Sequence, residues 1–225
     1  MSKIIEAIIF DLDGVIVDTA KYHFLAWKEL AMSLKIPFDE NDNEQLKGVS
    51  RIQSLEYILN KAELNLTPLE KEKLATMKNL RYLDHITTID TTEMLPGVIE
   101  LLKDLRANDI KIALGSASKN ASFILDRLGI MHYFDVVVDG NMTKEGKPSP
   151  ETFLLAAHEL NIPAENCLVV EDAAKGVEAA IAANMWCLGI GDTHHLSLAH
   201  WVRKDLIGLS FSEINKKIQS LQMKS

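Results

Sequence analysis

The sequence has few of the features of secreted or membrane-spanning proteins. It contains only two cysteines, Cys167 and Cys187, which lie in apolar segments without metal-ligand spacing and are expected to be buried, reduced thiols. No apolar run approaches the roughly 20 residues that a membrane-spanning helix requires. Glu6 and two aspartates interrupt the N-terminal segment, where a signal peptide would need a continuous apolar core. We therefore expect a cytoplasmic protein.

The chain also lacks an excess of positive charge. Its 24 Lys and Arg residues face 32 Asp and Glu residues, which gives a formal net charge of -8. This balance argues against a nucleic-acid partner, although a few local basic residues could still bind a small phosphorylated substrate. With 225 residues, 47% of them hydrophobic and 25% charged, the chain has the composition of a globular protein with one sizeable core and room for a small second domain.

Two carboxylates follow the first apolar run of the chain. Residues 8–10 are apolar, and Asp11, Asp13 and Gly14 come directly after them, as in a buried parallel strand that ends at a turn. Strand alternation places Asp11 and Asp13 on the same face. Adjacent carboxylates repel unless a cation lies between them, so the pair suits Mg²⁺, with one acid as nucleophile and the other as proton carrier. Taken alone, the Asp-Leu-Asp-Gly segment is equally compatible with an ordinary turn.

Helical periodicity dominates the chain from Ala20 to Thr88, where no strand signal is found. The predicted helices cover residues 22–34, 43–47, 51–59 and 68–86. Thr19, Ser50 and Thr67 are the expected N-caps, and Gly48 is expected to end the second helix. At the fourth helix, Pro68 in the first position and Glu70 in the third complete a capping box.

The rest of the chain alternates strands with helices. Strands are predicted at 110–114, 134–138, 167–170 and 186–190. Helices are predicted at 97–107, 120–128, 150–160 with Ser149 as cap, 173–183, and from about 212. This alternation predicts an α/β fold with a Rossmann-like parallel sheet, whose ligands bind at the carboxyl ends of the strands. We expect a core of residues 1–16 and 93–225 and an inserted all-helical cap domain of residues 17–92.

Three further strand ends also carry polar residues. Ser116 lies in the small, polar segment 115–120, which suits either a phosphate cradle or a simple helix cap. Lys147 lies in a loop stiffened by two prolines and could also be an ordinary surface lysine. Glu171 and Asp172 follow an apolar strand and suit either a metal ion or the start of a helix. Their expected convergence with the first pair of carboxylates favours a phosphoryl-transfer site.

The segment FDLDGVIVDT, residues 10–19, resembles the first motif of the haloacid dehalogenase superfamily of phosphoryl-transfer enzymes. The resemblance extends over most of the chain through YHFLAWKEL, LKGVSR, LPGV, SASKN, KPSPE and EDAAKGVEA. The segments from the helical region are similar to the sugar-phosphate mutases of that superfamily. The resemblance therefore implies the superfamily's core fold with a helical cap.

The resemblance also implies catalytic roles. Asp11 would be the nucleophile that forms an aspartyl phosphate, and Asp13 would be the general acid/base. Ser116 and Lys147 would hold the transferring phosphoryl oxygens, a task in which positioning and charge neutralisation supply most of the catalysis. The implied Mg²⁺ ligands are Asp11, Asp13 through its backbone carbonyl, Glu171 and Asp172.

A second set of residues would recognise the rest of the substrate. His23 and Trp27 share one face of the first helix, where ordinary packing is the alternative. The resemblance implies that His23 bonds near the acid/base and that Trp27 borders the sugar. Thr19 is implied at the catalytic site and, with residues 88–95, as the hinge of the cap. Arg51 suits a distal phosphate. The other expected substrate contacts are Gly48, Val49, Ser50, Ser54, Lys78, Ala117, Ser118, Lys119 and Asn120.

The implied reaction is the isomerisation of β-D-glucose 1-phosphate to D-glucose 6-phosphate. It would proceed through an aspartyl-phosphate enzyme and a bound β-glucose 1,6-bisphosphate that reorients, with Mg²⁺ as cofactor. A sugar-phosphate phosphatase, in which water relieves Asp11, is the alternative, and Arg51 argues against it. A silent phosphosugar-binding module would be expected to have lost one of the four residues Asp11, Asp13, Lys147 and Asp172. The expected enzyme is a monomer that binds neither nucleic acid nor membranes.

Overall fold

The structure, a computed structural model, describes residues 5–46 and 49–223. Its centre is a six-stranded sheet whose strands all run parallel. The strands are β1 (Ala7–Phe10), β2 (Lys111–Gly115), β3 (Val136–Val138), β4 (Cys167–Glu171), β5 (Trp186–Ile190) and β6 (Trp201–Arg203). Their order is β3-β2-β1-β4-β5-β6, so β1 lies in the middle of the sheet between β2 and β4.

Nine α-helices are assigned in the described residues. They are α1 (Ala20–Ser33), α2 (Glu40–Glu44), α3 (Arg51–Asn60), α4 (Pro68–Ile86), α5 (Val98–Ala107), α6 (Ala121–Arg127), α7 (Glu151–Leu160), α8 (Ala174–Ala182) and α9 (Phe211–Gln222). Side chains of α5, α6 and α9 pack in one core cluster with Ile8 and Phe10, and those of α7 and α8 pack in a second with Ala7 and Ile9. Alternate residues of β1 thus face opposite layers, which explains its uninterrupted apolar sequence.

Helices α1 to α4 form a separate helical layer between β1 and α5 in the chain. Trp27, Leu30, Leu55, Ile58 and Ala75 belong to the core cluster that these helices share. Within the described residues 20–46 and 49–88, no strand is present, as the sequence predicted. The predicted fold class, a parallel sheet with a helical insertion, is confirmed. The exact limits of the core and cap domains stay a prediction.

Most elements lie where the sequence predicted them, with ends shifted by one or two residues, but the structure differs from the prediction at four places. Helix α2 begins at Glu40, where Asp39 and Asp42 form a capping box, and it ends at Glu44, so both ends come three residues earlier than predicted and Gly48 does not end it. The N-cap of α7 is Pro150 rather than Ser149. Thr19 occupies the N-cap position of α1, but its side chain makes no capping bond. The sequence analysis also missed β6, because three half-buried residues at the sheet edge give no periodic signal.

In the part of the chain that the structure describes, no helix is long and apolar enough to cross a membrane. Cys167 and Cys187 are buried and free, as the sequence predicted. They lie on the neighbouring strands β4 and β5, but Cys187 pairs with Val169 in the sheet register. Burial raises the pKa of Cys167 to about 12, and it also raises the pKa of the Cys187 thiol. Both thiols are therefore protonated and unreactive at neutral pH.

We expect Thr67→Ala to destabilise the helical layer by about 1 kcal/mol, because it removes the N-cap of its longest helix. The Thr67 hydroxyl accepts from the Glu70 amide, and the Glu70 carboxylate accepts from the Thr67 amide at 2.8 Å. Urea unfolding would measure the loss. The control is Thr76→Ala in the exposed interior of the same helix, where alanine's higher helix propensity predicts no loss. Equal destabilisation by both substitutions would contradict the capping role.

Candidate active site

The carboxyl ends of the central strands bring the predicted catalytic residues together. In the sheet register, Phe10 pairs with both Leu114 and Val170, so β1, β2 and β4 end at the same level. Asp11, Ser116 and the Glu171–Asp172 pair therefore emerge side by side, as the sequence predicted. The side chains of Asp11, Ser116 and Glu171 are buried, so their charges and hydroxyl are largely shielded from water.

Lys147 is fully buried and reaches into this group of carboxylates. Its Nζ lies 2.5 Å from Asp11 Oδ1 and 2.5 Å from Glu171 Oε1, and it also lies 4.7 Å from the centre of the Phe153 ring. Burial alone would lower the pKa of Lys147, but the two carboxylates raise it above its ordinary value. Lys147 is therefore a charged residue of the site, and the alternative of a surface lysine is wrong.

One lysine does not balance all the acids of the site. Burial, followed by the charges of Glu171 and Asp13, raises the pKa of Asp11 to about 7, although Lys147 acts in the opposite direction. Burial also raises the pKa of Asp13 to about 6, against the effect of Lys78 and Lys147. Carboxylate oxygens of Asp11, Glu171 and Asp172 lie within 4.8 Å of one another. Such an all-oxygen donor set, short of positive charge, fits a hard divalent cation.

Gly14 allows the turn after β1 to approach Asp172. It has a φ of 84°, in the left-handed region that favours glycine. A Cβ at this position would overlap the Asp172 carboxylate. Gly176 on α8 has the same effect for Glu171, because a Cβ at this position would overlap the Glu171 carboxylate. The cluster of carboxylates thus depends on two glycines that leave room for it.

Asp13 is contacted from the first helix of the helical layer. Thr19 is fully buried, and its Oγ1 donates a hydrogen bond to Asp13 Oδ1 instead of capping α1. His23 Nε2 lies 4.0 Å from Asp13 Oδ2, while His23 Nδ1 lies 2.8 Å from Lys78 Nζ. Burial, together with the charges of Lys78 and Arg51, lowers the pKa of His23 well below its ordinary value. Burial, together with the charge of Arg51, also lowers the pKa of Lys78 well below its ordinary value, so His23 and Lys78 form a buried pair beside Asp13.

Aromatic rings hold Lys78 in place. Its Nζ lies 4.8 Å from the centre of the Trp27 ring and 4.6 Å from that of Tyr82, within the range of cation–π attraction. The fully buried Tyr82 ring also packs on His23, with ring centres 4.1 Å apart. The sequence analysis missed Tyr82, although its position four residues after Lys78 on one helix places both on the same face.

Ser116 begins a series of side-chain to backbone hydrogen bonds in the loop before α6. Its Oγ accepts from the Ser118 amide at 3.1 Å, and Ser118 Oγ accepts from the Asn120 amide at 3.2 Å. Asn120, not Ser116, is the N-cap of α6, and its side chain makes no capping bond. The segment 115–120 thus supplies the N-cap of α6 through Asn120, while Ser116 lines the cavity described next.

A cavity between the helical layer and the strand ends is lined by most of the predicted site residues. These are Asp11, Asp13, His23, Trp27, Val49, Arg51, Ser54, Lys78, Ser116, Ala117, Ser118, Lys119, Asn120 and Asp172. Three predicted residues are fully buried: Thr19, Lys147 and Glu171. Thr19 bonds Asp13, and Lys147 bonds both Asp11 and Glu171. Ser50 instead caps α3. Gly48 lies outside the described residues.

The same cavity is lined by residues that sequence reasoning missed. Asp18 and Ala20 flank the predicted Thr19, and Asn43 and Leu46 precede the predicted loop. Asn79 directly follows Lys78. These residues carry no chemical pattern of their own. Their proximity in sequence to predicted site residues is the signal that could have identified them.

Comparison with known proteins gives concordant results. The haloacid dehalogenase-like hydrolase family matches residues 5–184. The β-phosphoglucomutase of Bacillus subtilis is 46% identical over 83% of each chain. A phosphorylated-carbohydrates phosphatase of Thermotoga maritima is 34% identical over 80% of this chain and 82% of its own. The crystal structure of β-phosphoglucomutase from Clostridium difficile has a TM-score of 0.94 and 42% identity, and the match covers 97% of this chain and 99% of that one.

We expect Gly14→Ala to weaken Mg²⁺ binding at least tenfold, because the new Cβ would displace the Asp172 carboxylate. Calorimetric titration with Mg²⁺ would measure the change. Gly129→Ala is the matched control: Gly129 has a φ of 68°, and a Cβ there would meet nothing within 4 Å. Both variants carry a backbone penalty of about 1–2 kcal/mol, but only the first disturbs the carboxylates. Equal Mg²⁺ affinity in the two variants would contradict this assignment.

Proposed function

The chain belongs to the haloacid dehalogenase-like hydrolase family, and on that basis we propose that it is a Mg²⁺-dependent sugar-phosphate isomerase. It interconverts β-D-glucose 1-phosphate and D-glucose 6-phosphate, the reaction of a β-phosphoglucomutase. The resemblance found in the sequence is confirmed by the family match and by the two similar mutases. The mutase reading is favoured over that of a phosphatase, although a related phosphatase exists.

One observation carries the mutase proposal: the cavity that contains Asp11 also contains Arg51 of α3. A phosphatase needs to hold only the phosphate that it transfers. A mutase must also hold the second phosphate of a bisphosphate while the first reacts. A guanidinium, with its planar fork of donors, is well suited to that second phosphate. Asn120 and Ser118, which line the same cavity, supply further polar groups for it.

The reaction starts from Asp11 that carries a phosphoryl group. In the first half-reaction, Asp13 removes the proton of the C6 hydroxyl of β-glucose 1-phosphate, this oxygen forms a bond to phosphorus, and the bond from phosphorus to Asp11 breaks. The product, β-glucose 1,6-bisphosphate, reorients in the cavity. In the second half-reaction, an Asp11 oxygen forms a bond to the phosphorus of the 1-phosphate, the bond from phosphorus to the C1 oxygen breaks, and protonated Asp13 gives its proton to that oxygen, which yields glucose 6-phosphate.

The surrounding residues position these groups and neutralise charge. The hydrogen bond from Lys147 to Asp11 Oδ1 supports a role of Lys147 in holding the transferring phosphoryl group, which would be attached to Asp11. Ser116 donates its hydroxyl proton to a phosphoryl oxygen. Thr19 and His23 hold the Asp13 carboxyl on the side of the leaving oxygen. Asp11, the Asp13 carbonyl, Glu171 and Asp172 would hold Mg²⁺, which would supply neutralisation of negative charge during phosphoryl transfer.

The helical layer is the cap domain in this proposal, formed by residues 17–92 over a core of residues 1–16 and 93–225. Two contacts between the connecting segments support a hinge there: Val17 pairs with Met94, and the Asp18 amide donates to the Glu93 carbonyl. When the cap closes, it excludes water from the aspartyl phosphate. The proposed contacts to the sugar and distal phosphate are Trp27, Gly48, Val49, Ser50, Arg51, Ser54, Lys78, Ala117, Ser118, Lys119 and Asn120.

The proposed enzyme is a cytoplasmic monomer that acts on a small phosphosugar and binds neither nucleic acid nor membranes. Its net charge of -8 supports the proposal that it does not bind nucleic acid. The buried, free thiols of Cys167 and Cys187 are in keeping with a reducing compartment. Glucose 1,6-bisphosphate, besides being the intermediate, primes the enzyme by phosphorylating Asp11.

The test is phosphorus NMR of the purified chain with Mg²⁺, β-glucose 1-phosphate and a trace of glucose 1,6-bisphosphate. The expected result is conversion to glucose 6-phosphate with little inorganic phosphate. Accumulation of inorganic phosphate would instead identify a phosphatase. If neither product forms, both enzymatic readings fail for this substrate.

We expect Arg51→Ala to slow the isomerisation at least a hundredfold, because it removes the cation assigned to the distal phosphate. The same NMR assay would measure the rate. Arg127→Ala, which removes an exposed guanidinium on α6, is the control and should leave the rate unchanged. An Arg51→Ala variant that isomerises at the normal rate would refute the distal-phosphate role.

A further inference from the structure

Besides the contacts of Thr19 and His23 with Asp13, two further contacts connect the helical layer to the loops at the strand ends. In the first, Asn120 Nδ2 donates a hydrogen bond of 2.9 Å to Asn79 Oδ1 on α4. In the second, the start of α3 packs on Gly146, where a Cβ would lie 3.0 Å from the Ser50 nitrogen. The second contact is a close fit of Gly146 against Ser50 and the Gln53 side chain, whose Oε1 would lie 2.9 Å from that Cβ. The first joins two side chains that both line the active-site cavity.

Asn79 is placed by the helix that carries Lys78. Successive residues of an α-helix point about 100° apart. The buried Lys78 therefore faces His23 and the aromatic rings, whereas the half-buried Asn79 faces the loop before α6. No motif in the sequence indicates this contact, because it joins positions 41 residues apart.

The bond to Asn79 is the outer end of a connected series. The backbone N–H of Asn120 donates to Ser118 Oγ, and the backbone N–H of Ser118 donates to Ser116 Oγ. Ser116 is buried at the end of β2, beside Asp11. Three hydrogen bonds thus lead from the helical layer to the residue proposed to hold the transferring phosphoryl group.

The carboxamide of Asn120 has two N–H groups and one oxygen. With one N–H bonded to Asn79, the rotation of the side chain is fixed, and the other N–H and the oxygen remain for the cavity. Without that bond, the side chain would have to be ordered by the substrate itself, and this ordering would weaken binding.

We propose that Asn79 is a positioning residue, which fixes the Asn120 carboxamide when the helical layer covers the strand ends. The grip of residues 118–120 on the non-reacting phosphate then depends on closure of the helical layer. This inference rests on the proposed function, because it takes the substrate to be a phosphosugar with a phosphate at that loop. Asn79 itself does not act on the reacting atoms.

The test is a double-mutant cycle on the affinity for glucose 6-phosphate, measured by calorimetry in the presence of Mg²⁺. Asn79→Ala is expected to weaken binding about tenfold, and Asn120→Ala at least as much. The double variant should bind no more weakly than Asn120→Ala, because Asn79 acts only through Asn120. Leu80→Ala, an exposed position on the same helix, is the control and should bind as the wild type does.

Turnover of β-glucose 1-phosphate gives a second measurement. A grip on the non-reacting phosphate is present in the ground state and in the transition state alike, so its loss should raise KM and leave kcat nearly unchanged. Asn79→Ala is therefore expected to raise KM about tenfold and to change kcat less than threefold. A general disturbance of the helical layer would lower kcat as well.

The inference is overturned by unchanged affinity in Asn79→Ala, or by effects of the two substitutions that simply add. Its failure differs from failure of the proposed function, because binding is measured without turnover. A wild-type chain that binds glucose 6-phosphate but releases inorganic phosphate from β-glucose 1-phosphate refutes the mutase reaction alone. A wild-type chain that binds no glucose 6-phosphate overturns both proposals.

Discussion

The contact of one buried ammonium group with two carboxylates organises this molecule. Lys147 lies between Asp11 and Glu171, and each of the three would be costly to bury without the others. Because these residues follow or end different strands and loops, their contact requires β1 and β4 to be adjacent and to end at the same level. The site has more carboxylates than this one ammonium group, and burial, with the neighbouring carboxylates, raises the pKa values of both aspartates of the first motif. Both the burial of these carboxylates and the proposed chemistry therefore call for a further cation at the site.

The sheet could be predicted from the sequence because buried parallel strands and amphipathic helices have distinct periodicities. Residues 7–10 and 186–190 are strands because they are apolar on both faces. The edge strand β6 could not be found, since it is short and half exposed. The early start of α2 depends on a reciprocal bond between Asp39 and Asp42, and the two acids could equally have been read as solvated surface residues.

In the site, the sequence analysis found the residues that belong to a recognisable motif. It missed the residues whose role follows only from their position in the fold. Asp11, Asp13 and the Glu171–Asp172 pair stand out because carboxylates at the ends of buried apolar strands are costly unless a cation binds them. Lys147 could be chosen only by resemblance, since its burial depends on folding. Tyr82 and Asn79 contribute by what they touch on other elements, and one sequence does not reveal such pairings.

The pairing of Val17 with Met94 also has a mechanical consequence. A body attached by one flexible strand can bend, twist and slide, whereas a body attached by two neighbouring strands can only rotate about the line that they define. The helical layer is attached in the second way, and the Lys21–Glu93 ion pair lies beside the same line. For the cap closure that the proposed function requires, this attachment favours rotation about that line over sliding. Such a rotation would return Asn79 and Arg51 to the same places above the sheet at each closure.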